Sequence, residues 1–535
     1  VQHIPDVEVE LHDMTRSQRR YHDKLNQSLA VHIPPQAKGS LQAADSDYSP
    51  LTEKVEAFLQ SERLVLLLLG DSGAGKTTFN HKLASDLFER YTAGGPIPLF
   101  INLSDVKDSN NDLIKTRLDS HGFSVEQIKE LKRGERLFIL ICDGYDEGQL
   151  NSNLHTTNDL NQPGSWNAKL IVSCRSQYLK KEYLYDFMPE STGSSYRAAA
   201  TELYQEAVIV PFKEDQINAY VKQFVDLPDD KLLFDDRPSW TADEYMAKLK
   251  AIPHLMELIG NPFLLTVSLQ VLHRIVGTNQ DLSTIRITRV KLYDVFIGEW
   301  MKRGHKRLQD HKRSLPFEER KALATLNNDH VDFTRHVIGF MKRLSTSIIE
   351  EQAGNPTIEY SQHSDSGSWK GQHFGDSAEN NLFRQVGPLV GTGTQARFLH
   401  RSLVEYFYSL VFFDPEENTP VVSNGALSYQ ELRNSLKSHS LTKKSIVGAP
   451  LVVQFLSERA RAEPALKKQL LAMMDTMETD VESVQGAKNA IAILVQAGIR
   501  FHGADLSTIR PQWYSSTSSP PPASSLDVVS TARFL

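Results

Sequence analysis

A glycine-rich segment that directly follows an apolar run constrains this 535-residue chain more than any other feature. The segment is Gly70-Asp71-Ser72-Gly73-Ala74-Gly75-Lys76-Thr77, which fits the pattern G-x-x-x-x-G-K-[ST]. The run at residues 64–69 has the length of a buried strand, and residues 79–91 have the spacing of a helix. The sequence therefore predicts a strand–loop–helix unit in which glycines let the loop backbone curl.

The chemistry of this segment is typical of a phosphate-binding loop. Curled backbone amides can face an anion, and the helix that follows points its positive end at the same place. Lys76 can then reach the β- and γ-phosphates, and the Thr77 hydroxyl can ligate Mg²⁺. We predict that the phosphates of a nucleotide are bound by Gly70, Asp71, Ser72, Gly73, Ala74, Gly75, Lys76, Thr77 and Thr78.

Continuous apolar runs recur through the first part of the chain, about 30–40 residues apart. Runs that are apolar throughout, rather than alternating, are typical of strands buried on both faces of a sheet. The spacing leaves room for a crossover helix between strands, which predicts a parallel α/β sheet. Strands are predicted at residues 64–69, 97–103, 137–142, 170–173 and 207–210, and helices at 215–225, 242–258, 263–275, 290–303 and 398–413.

Charged residues follow two of the predicted strands. A carboxylate at the end of a buried strand is costly unless a cation or a hydrogen-bond partner compensates for it. Beside a phosphate loop, Asp143 is placed to hold Mg²⁺, while Asp146 or Glu147 could orient or deprotonate an attacking water. Arg175 could contact a γ-phosphate through charge-assisted hydrogen bonds. Taken alone, these residues would indicate only a turn and an ordinary surface salt bridge.

The composition argues against several other classes of function. Lys and Arg total 59 against 66 Asp and Glu, a net charge of −7, which disfavours sequence-independent binding to nucleic acid or to an anionic membrane. Two cysteines, Cys142 and Cys174, cannot build a disulfide framework, and we expect both to be buried packing residues. No apolar run reaches the ~18–20 residues of a membrane span. Phe212 occupies the Asn/Thr position of the guanine-specifying motif, which favours ATP over GTP.

Three elements in this order resemble the NACHT family of P-loop signal-transduction NTPases, of the STAND class: the glycine-rich loop (Walker A), Asp143-Gly144-Tyr145-Asp146-Glu147 (Walker B) and the strand before Arg175. Residues 260–265 are similar to the family motif whose proline packs on the adenine, which implies this role for Pro262. Residues 398–407 are similar to the winged-helix segment whose histidine reaches the β-phosphate of ADP, which implies this role for His400. Residues 489–506 resemble fungal NACHT proteins in which pentapeptide and WD40 repeats follow.

The resemblance and the changes in composition together predict an α/β P-loop NTPase domain followed by helical, winged-helix-like and second helical domains. The Ser/Pro-rich C-terminal composition is one that rarely packs. The predicted segments are an N-terminal tail or linker (1–48), the NACHT nucleotide-binding domain (49–225), a helical domain (226–303), a winged-helix-like domain (304–415), a second helical domain (416–500), and a truncated repeat with a disordered tail (501–535).

The resemblance implies an ATP/ADP-operated switch in signal transduction. Such a protein binds nucleotide with Mg²⁺, hydrolyses ATP slowly, and self-associates through its nucleotide-binding module in the ATP state. We expect it to be cytoplasmic, with an upstream effector of unknown type, no nucleic-acid partner and no membrane span. Two alternatives stay open: an ATP-driven remodelling ATPase of another P-loop class, and a nucleotide-binding scaffold without turnover. His400 argues against the first, and the intact Lys76, Thr77, Asp143 and Glu147 argue against the second.

Overall fold

The computed structural model of the protein divides into two units, Val1–Ile287 and Thr288–Leu535. The described residues are 7–27, 31–44, 46–106, 108–146, 152–179, 183–189, 201–228, 232–234, 237–277, 281–326, 330–352, 354–392, 395–413, 440–475 and 481–499. Among these residues, none of the helices combines the length and the apolar character needed to cross a bilayer.

The first unit is an α/β structure. Its strands are β1 (Gln36–Lys38), β2 (Tyr48–Pro50), β3 (Val65–Gly70), β4 (Ile97–Asn102), β5 (Phe138–Asp143), β6 (Ala168–Arg175) and β7 (Tyr204–Ile209). Its helices include α1 (Val7–Gln27), α2 (Leu51–Gln60), α3 (Lys76–Glu89), α4 (Leu113–Ser120), α5 (Val125–Arg133), α6 (Leu154–Thr157), α7 (Leu184–Phe187), α8 (Glu214–Val225), α9 (Ala242–Ala251), α10 (Leu255–Leu258) and α11 (Pro262–Val276).

The seven strands form one mostly parallel sheet in the order β2-β1-β7-β3-β6-β5-β4. The parallel part comprises β3 to β7, which confirms the parallel sheet predicted from the continuous apolar runs. Every residue of β3, β5 and β6 is buried, because helices cover both faces of the sheet. The carboxyl ends of β3, β6 and β5 therefore lie side by side at one edge of the sheet.

The segment before residue 49 is folded, so the tail predicted at residues 1–48 is wrong for the part that the structure describes. Strands β1 and β2 extend the sheet, and β1 pairs with β7 in antiparallel direction. Helix α1 packs on α3, and it buries Leu11 and Met14 one helical turn apart in the core beneath the sheet. The polar residues outnumber the apolar ones in this segment, so composition concealed the narrow buried stripe.

A histidine pair joins α1 to α3. His22 is fully buried, its Nδ1 lies 2.8 Å from Nδ1 of His81, and its ring packs against Phe88 and Phe100. Burial, helped by the neighbouring His81 and Arg117 and opposed by Asp23, lowers the pKa of His22 to about 3. His22 is therefore neutral in the folded protein at ordinary pH, whereas in the unfolded chain it gains a proton below its usual pKa.

We expect His22 to make the first unit lose stability in mild acid. Because only the unfolded chain protonates this residue near pH 6, lowering the pH from 7.5 to 5.0 costs about 2 kcal/mol of unfolding free energy through His22 alone. His22→Gln should reduce the pH dependence by this amount in urea unfolding at the two pH values. His12→Gln, an exposed histidine on the same helix, serves as control and should keep the wild-type pH dependence. Equal pH dependence in wild type and His22→Gln would contradict the expectation.

One helix predicted as continuous is broken in the structure. The pattern at residues 242–258 predicted a single helix, but α9 ends at Ala251 and α10 begins only at Leu255. Pro253 explains the break, because a proline disfavours the helical conformation of the residue before it. Ile252 is accordingly extended, with ψ of 121°.

The second unit is mainly helical. Its strands β8 (Thr357–Glu359), β9 (Leu389–Thr392) and β10 (Gln395–Phe398) form an antiparallel sheet in the order β8-β10-β9. Its helices include α12 (Arg289–Asp310), α13 (Phe317–Leu326), α14 (His330–Glu351), α15 (Gln362–Asp365), α16 (Trp369–Phe374), α17 (Ala378–Val386), α18 (Arg401–Phe412), α19 (Ser440–Lys443), α20 (Pro450–Ala462), α21 (Pro464–Asp475) and α22 (Val481–Gln496).

A polar network connects three of the segments predicted as separate domains. Asp294 on α12 accepts a hydrogen bond from the Tyr406 hydroxyl on α18 at 2.7 Å. It also accepts one from Arg459 on α20 at 2.7 Å, and the arginine is buried. In addition, α12 runs through the predicted boundary at 303/304. The finer division of the second unit therefore remains a prediction, and the boundary at 415/416 and the segment 501–535 lie outside the described residues.

Candidate functional site

The glycine-rich segment forms the predicted strand–loop–helix unit. Strand β3 ends at Gly70, and α3 begins at Lys76. Between them Gly73 and Gly75 adopt φ of 81° and 92°, a left-handed conformation that a side chain would strain. The Ala74 amide donates to the Asp71 carbonyl at 3.1 Å and closes the turn. The loop is thus tightly curled where the motif requires it.

Lys76 is the first residue of α3, and its side chain turns back to the loop. Its Nζ donates to the carbonyl oxygens of Gly70 at 2.7 Å and Asp71 at 3.1 Å. Desolvation lowers the pKa of Lys76, while the charge of Asp146 has the opposite effect. Thr77 is exposed and Thr78 is partly buried, and both lie on the first turn of α3. The residues predicted to bind the phosphates, 70–78, thus form the loop and the start of the helix that follows it.

Asp143 is the last residue of β5 and is nearly buried, at 6% exposure. Its Oδ1 accepts hydrogen bonds from Asn80 Nδ2 and from Ser173 Oγ, both at 2.6 Å. Ser173 Oγ in turn accepts from the Gly144 amide at 3.0 Å. Sequence reasoning assigned no role to Asn80 or Ser173, although Ser173 follows the apolar run at residues 170–172. These two residues fix the direction of the Asp143 carboxylate.

Asp146 and Arg175 form an ion pair beside the loop. Arg175 Nε lies 3.2 Å from Asp146 Oδ2, and the side chains are only 5% and 2% exposed. The Arg175 amide also donates to Asp146 Oδ1 at 3.1 Å. Because β3 and β6 pair in parallel with Gly70 opposite Arg175, the pair lies beside the loop. Glu147 lies outside the described residues.

The segment that contains Pro262 also reaches the loop. Pro262 is the first residue of α11, and Asn261 caps this helix by accepting from the Leu264 amide at 3.2 Å. Asn261 Nδ2 donates to the Ser72 carbonyl at 2.7 Å. The structure therefore brings Pro262 next to the predicted phosphate loop. Sequence reasoning named the proline and overlooked the asparagine before it.

His400, by contrast, belongs to the second unit. It caps α18, and its Nδ1 accepts a hydrogen bond from the Ser402 amide at 3.2 Å. With Nδ1 as acceptor, a neutral imidazole carries its proton on Nε2, as a donor to phosphate must. The contact of His400 with a nucleotide remains a prediction.

The two cysteines are packing residues, as predicted. Cys142 lies in β5 and Cys174 in β6, at 0% and 2% exposure. Burial raises the pKa of Cys142 to about 12 and also raises that of Cys174. Neither thiol is ionised at neutral pH, so neither is a nucleophile.

The residues at this edge of the sheet fit a nucleotide with Mg²⁺. Asp143 and Thr77 offer the oxygen ligands that Mg²⁺ prefers, and Lys76 offers a cation for phosphate oxygens. The buried Ser72 hydroxyl has no hydrogen-bond partner among the described residues, which suits a loop built around a polar ligand. A Cβ at Gly75 would meet no atom within 4 Å, so this side of the loop is open.

Two solved structures show distant similarity to the chain. A Walker-type ATPase of Pyrococcus abyssi is 13% identical, over 66% of this chain and 94% of that one, with a TM-score of 0.28. A Signal Transduction ATPase with Numerous Domains (STAND) protein with a tetratricopeptide repeat sensor, from Pyrococcus horikoshii, is 12% identical, with a TM-score of 0.30. That alignment covers 87% of this chain and 59% of the STAND protein. Neither similarity is close enough to carry an argument.

The family comparison is more direct. Residues 64–227 match the family model described as the NACHT domain, and they include β3 to β7, the glycine-rich loop, Asp143 and Arg175. The chain matches no curated protein. The resemblance to fungal proteins with C-terminal repeats remains a prediction, and residues 500–535 lie outside the described residues. The chain therefore carries a NACHT domain at residues 64–227.

Proposed function

We propose that the protein is an ATP/ADP-operated switch that binds nucleotide with Mg²⁺, hydrolyses ATP slowly and self-associates in the ATP state. One observation carries the proposal. The curled loop, the oriented carboxylate of Asp143 and the Asp146–Arg175 pair meet at one edge of the sheet, inside a NACHT domain. A phosphate chain needs such a combination of amides, cations and a metal ligand.

Each group in the site has a defined part in this proposal. The loop amides and Lys76 bind the phosphates, while Asp143 and Thr77 hold Mg²⁺. When bound, Mg²⁺ neutralises charge on the phosphate oxygens. Asn80 and Ser173 keep the Asp143 carboxylate in one orientation, so it needs little reorganisation to act as a ligand. Pro262 packs on the base, and His400 contacts the β-phosphate.

Asp146 and Glu147 have different parts. Because both oxygens of Asp146 interact with Arg175, its carboxylate is poorly placed to accept a proton from water. We assign the orientation of the attacking water to Glu147, and to Asp146 the positioning of Arg175 beside the γ-phosphate. Hydrolysis is slow when the catalytic groups come together around the nucleotide only transiently. Slow turnover is typical of a switch rather than of a motor.

The test combines ATP turnover with light-scattering mass in wild type, Glu147→Gln and Glu126→Gln. We expect wild-type turnover below about 1 s⁻¹, the low end of ordinary enzymes. Glu147→Gln should abolish turnover and accumulate as a larger species with ATP but not with ADP. Glu126→Gln changes an exposed acid on α5 and should behave as wild type.

The other outcomes distinguish the alternatives. Fast turnover without a change in mass would support a remodelling ATPase. ATP binding without any wild-type turnover would support a scaffold. If ATP leaves the mass of Glu147→Gln unchanged, the switch proposal is wrong.

A further inference from the structure

We propose that Asn261 is a positioning residue for the phosphate-binding loop, which it joins to the first turn of α11. The inference rests on the proposed nucleotide function of the loop and deepens it, because it names a residue outside the motif that shapes the loop.

The Asn261 side chain makes one hydrogen bond with each of its two polar atoms. Oδ1 accepts from the Leu264 amide at 3.2 Å and so starts α11. Nδ2 donates to the Ser72 carbonyl at 2.7 Å. The Phe263 amide adds a bond to the Gly73 carbonyl at 3.3 Å. Two successive loop carbonyls are thus held by the beginning of one helix.

With these bonds, each carbonyl oxygen from residue 70 to residue 73 has a hydrogen-bond donor. Lys76 donates to the carbonyls of Gly70 and Asp71, and α11 supplies the donors for Ser72 and Gly73. Four consecutive carbonyl oxygens therefore all accept hydrogen bonds from protein groups. In a trans peptide the N–H points opposite to the C=O, so holding the Ser72 carbonyl towards Asn261 turns the Gly73 N–H away from it. The direction of a loop amide consequently depends on Asn261.

The close approach also explains why the loop needs glycine at position 73. A Cβ there would lie 2.7 Å from Asn261 Oδ1 and 2.9 Å from Phe263 Cβ, and the φ of 81° adds strain. The segment before α11 is itself anchored, because the Phe212 amide after β7 donates to the Gly260 carbonyl at 2.7 Å. The backbone from which the Asn261 side chain extends is therefore held in place by this hydrogen bond.

A consequence of this geometry is coupling between the loop and α11. A ligand that favours one direction of the loop amides also favours the present position of the helix start. By linkage, a change that moves the helix start away from this position lowers the affinity for that ligand. Asn261 is thus expected to influence nucleotide affinity without touching the nucleotide.

The experiment uses Asn261→Ser in the full chain. Serine caps a helix about as well as asparagine, but it is too short to donate to Ser72 as well. We expect the affinity for ADP with Mg²⁺ to fall about fivefold, the effect of one ordinary hydrogen bond. Without nucleotide, amide hydrogen exchange should become faster in residues 70–76 and stay unchanged in residues 264–276. The unfolding midpoint without nucleotide should fall only slightly, because one hydrogen bond of the folded protein is lost.

Two further variants distinguish a change in loop geometry from a general loss of stability. Thr241→Ala removes the cap of α9, and it should lower stability without changing ADP affinity. Gly73→Ala adds the colliding Cβ and should weaken ADP binding more than Asn261→Ser does. If Asn261→Ser keeps wild-type ADP affinity and wild-type exchange in the loop, Asn261 has no positioning role. If wild type itself does not bind ADP, the proposed function fails, while the exchange measured without nucleotide still decides the role of Asn261.

Discussion

Replacing Lys76 by alanine is expected to remove the thermal stabilisation that ADP with Mg²⁺ gives to the wild-type protein. At a ligand concentration of 100 times Kd, binding adds about 2.7 kcal/mol to the unfolding free energy. The substitution removes the charge-assisted hydrogen bonds to phosphate that we propose for Lys76, each about 1.5–3 kcal/mol, so affinity should fall by about 100-fold. Thermal unfolding with and without ADP, together with calorimetric titration, measures both effects.

The nucleotide-free proteins provide the control for folding. Because desolvation lowers the pKa of Lys76, its positive charge is unfavourable in the folded state. Lys76→Ala without nucleotide should remain folded, because the removal of this charge partly offsets the loss of its hydrogen bonds to the Gly70 and Asp71 carbonyls. Lys82→Ala changes an exposed lysine on the same helix and should keep the full response to ADP. An equal ADP response in Lys76→Ala would show that the glycine-rich loop is not the nucleotide site.

The Asp146–Arg175 pair gives the second large expected effect. Removing one partner of a buried ion pair leaves an uncompensated charge, and Asp146→Ala should lower the unfolding free energy by about 3 kcal/mol. Asp146→Asn should cost less, because the amide oxygen can still accept from the Arg175 backbone N–H. Urea unfolding of nucleotide-free protein measures the difference.

A double variant tests whether charge is the cause. Asp146→Asn combined with Arg175→Met removes both charges and keeps the backbone acceptor, so it should recover most of the lost stability. Failure to recover would indicate that packing, rather than the buried charge, dominates. Reduced turnover in Asp146→Asn alone consequently reports a loosened site as well as any catalytic loss, and Glu147→Gln is the cleaner variant for hydrolysis.

The central sheet could be predicted because each of its central strands is a continuous apolar run that is visible in the local sequence. Leu66 and Leu68 face one helix layer, and Leu67 and Leu69 face the other, so β3 must be apolar throughout. The loop could be predicted for the same reason, since its glycines and Lys76 are contiguous. Both signals need only neighbouring residues.

The parts that could not be predicted depend on residues far apart in the chain. Asn80 and Ser173 become partners of Asp143 only when α3 and β6 meet β5. Asn261 reaches Ser72 across 189 positions of sequence. The sequence around a single polar residue does not indicate which distant residue will become its hydrogen-bond partner. The N-terminal helix was missed because its buried stripe is narrow and its composition is polar.

The folded N-terminal segment has a practical consequence for anyone who prepares shorter versions of this protein. A fragment that starts at residue 49 would lose α1 and β1 and would divide β2. The edge of β7 that pairs with β1 would then present open backbone groups, a template for pairing with other chains. The surface of α3 beneath α1 would meet water at His81 and Phe88. Such a fragment would retain every motif residue and would still be prone to aggregate.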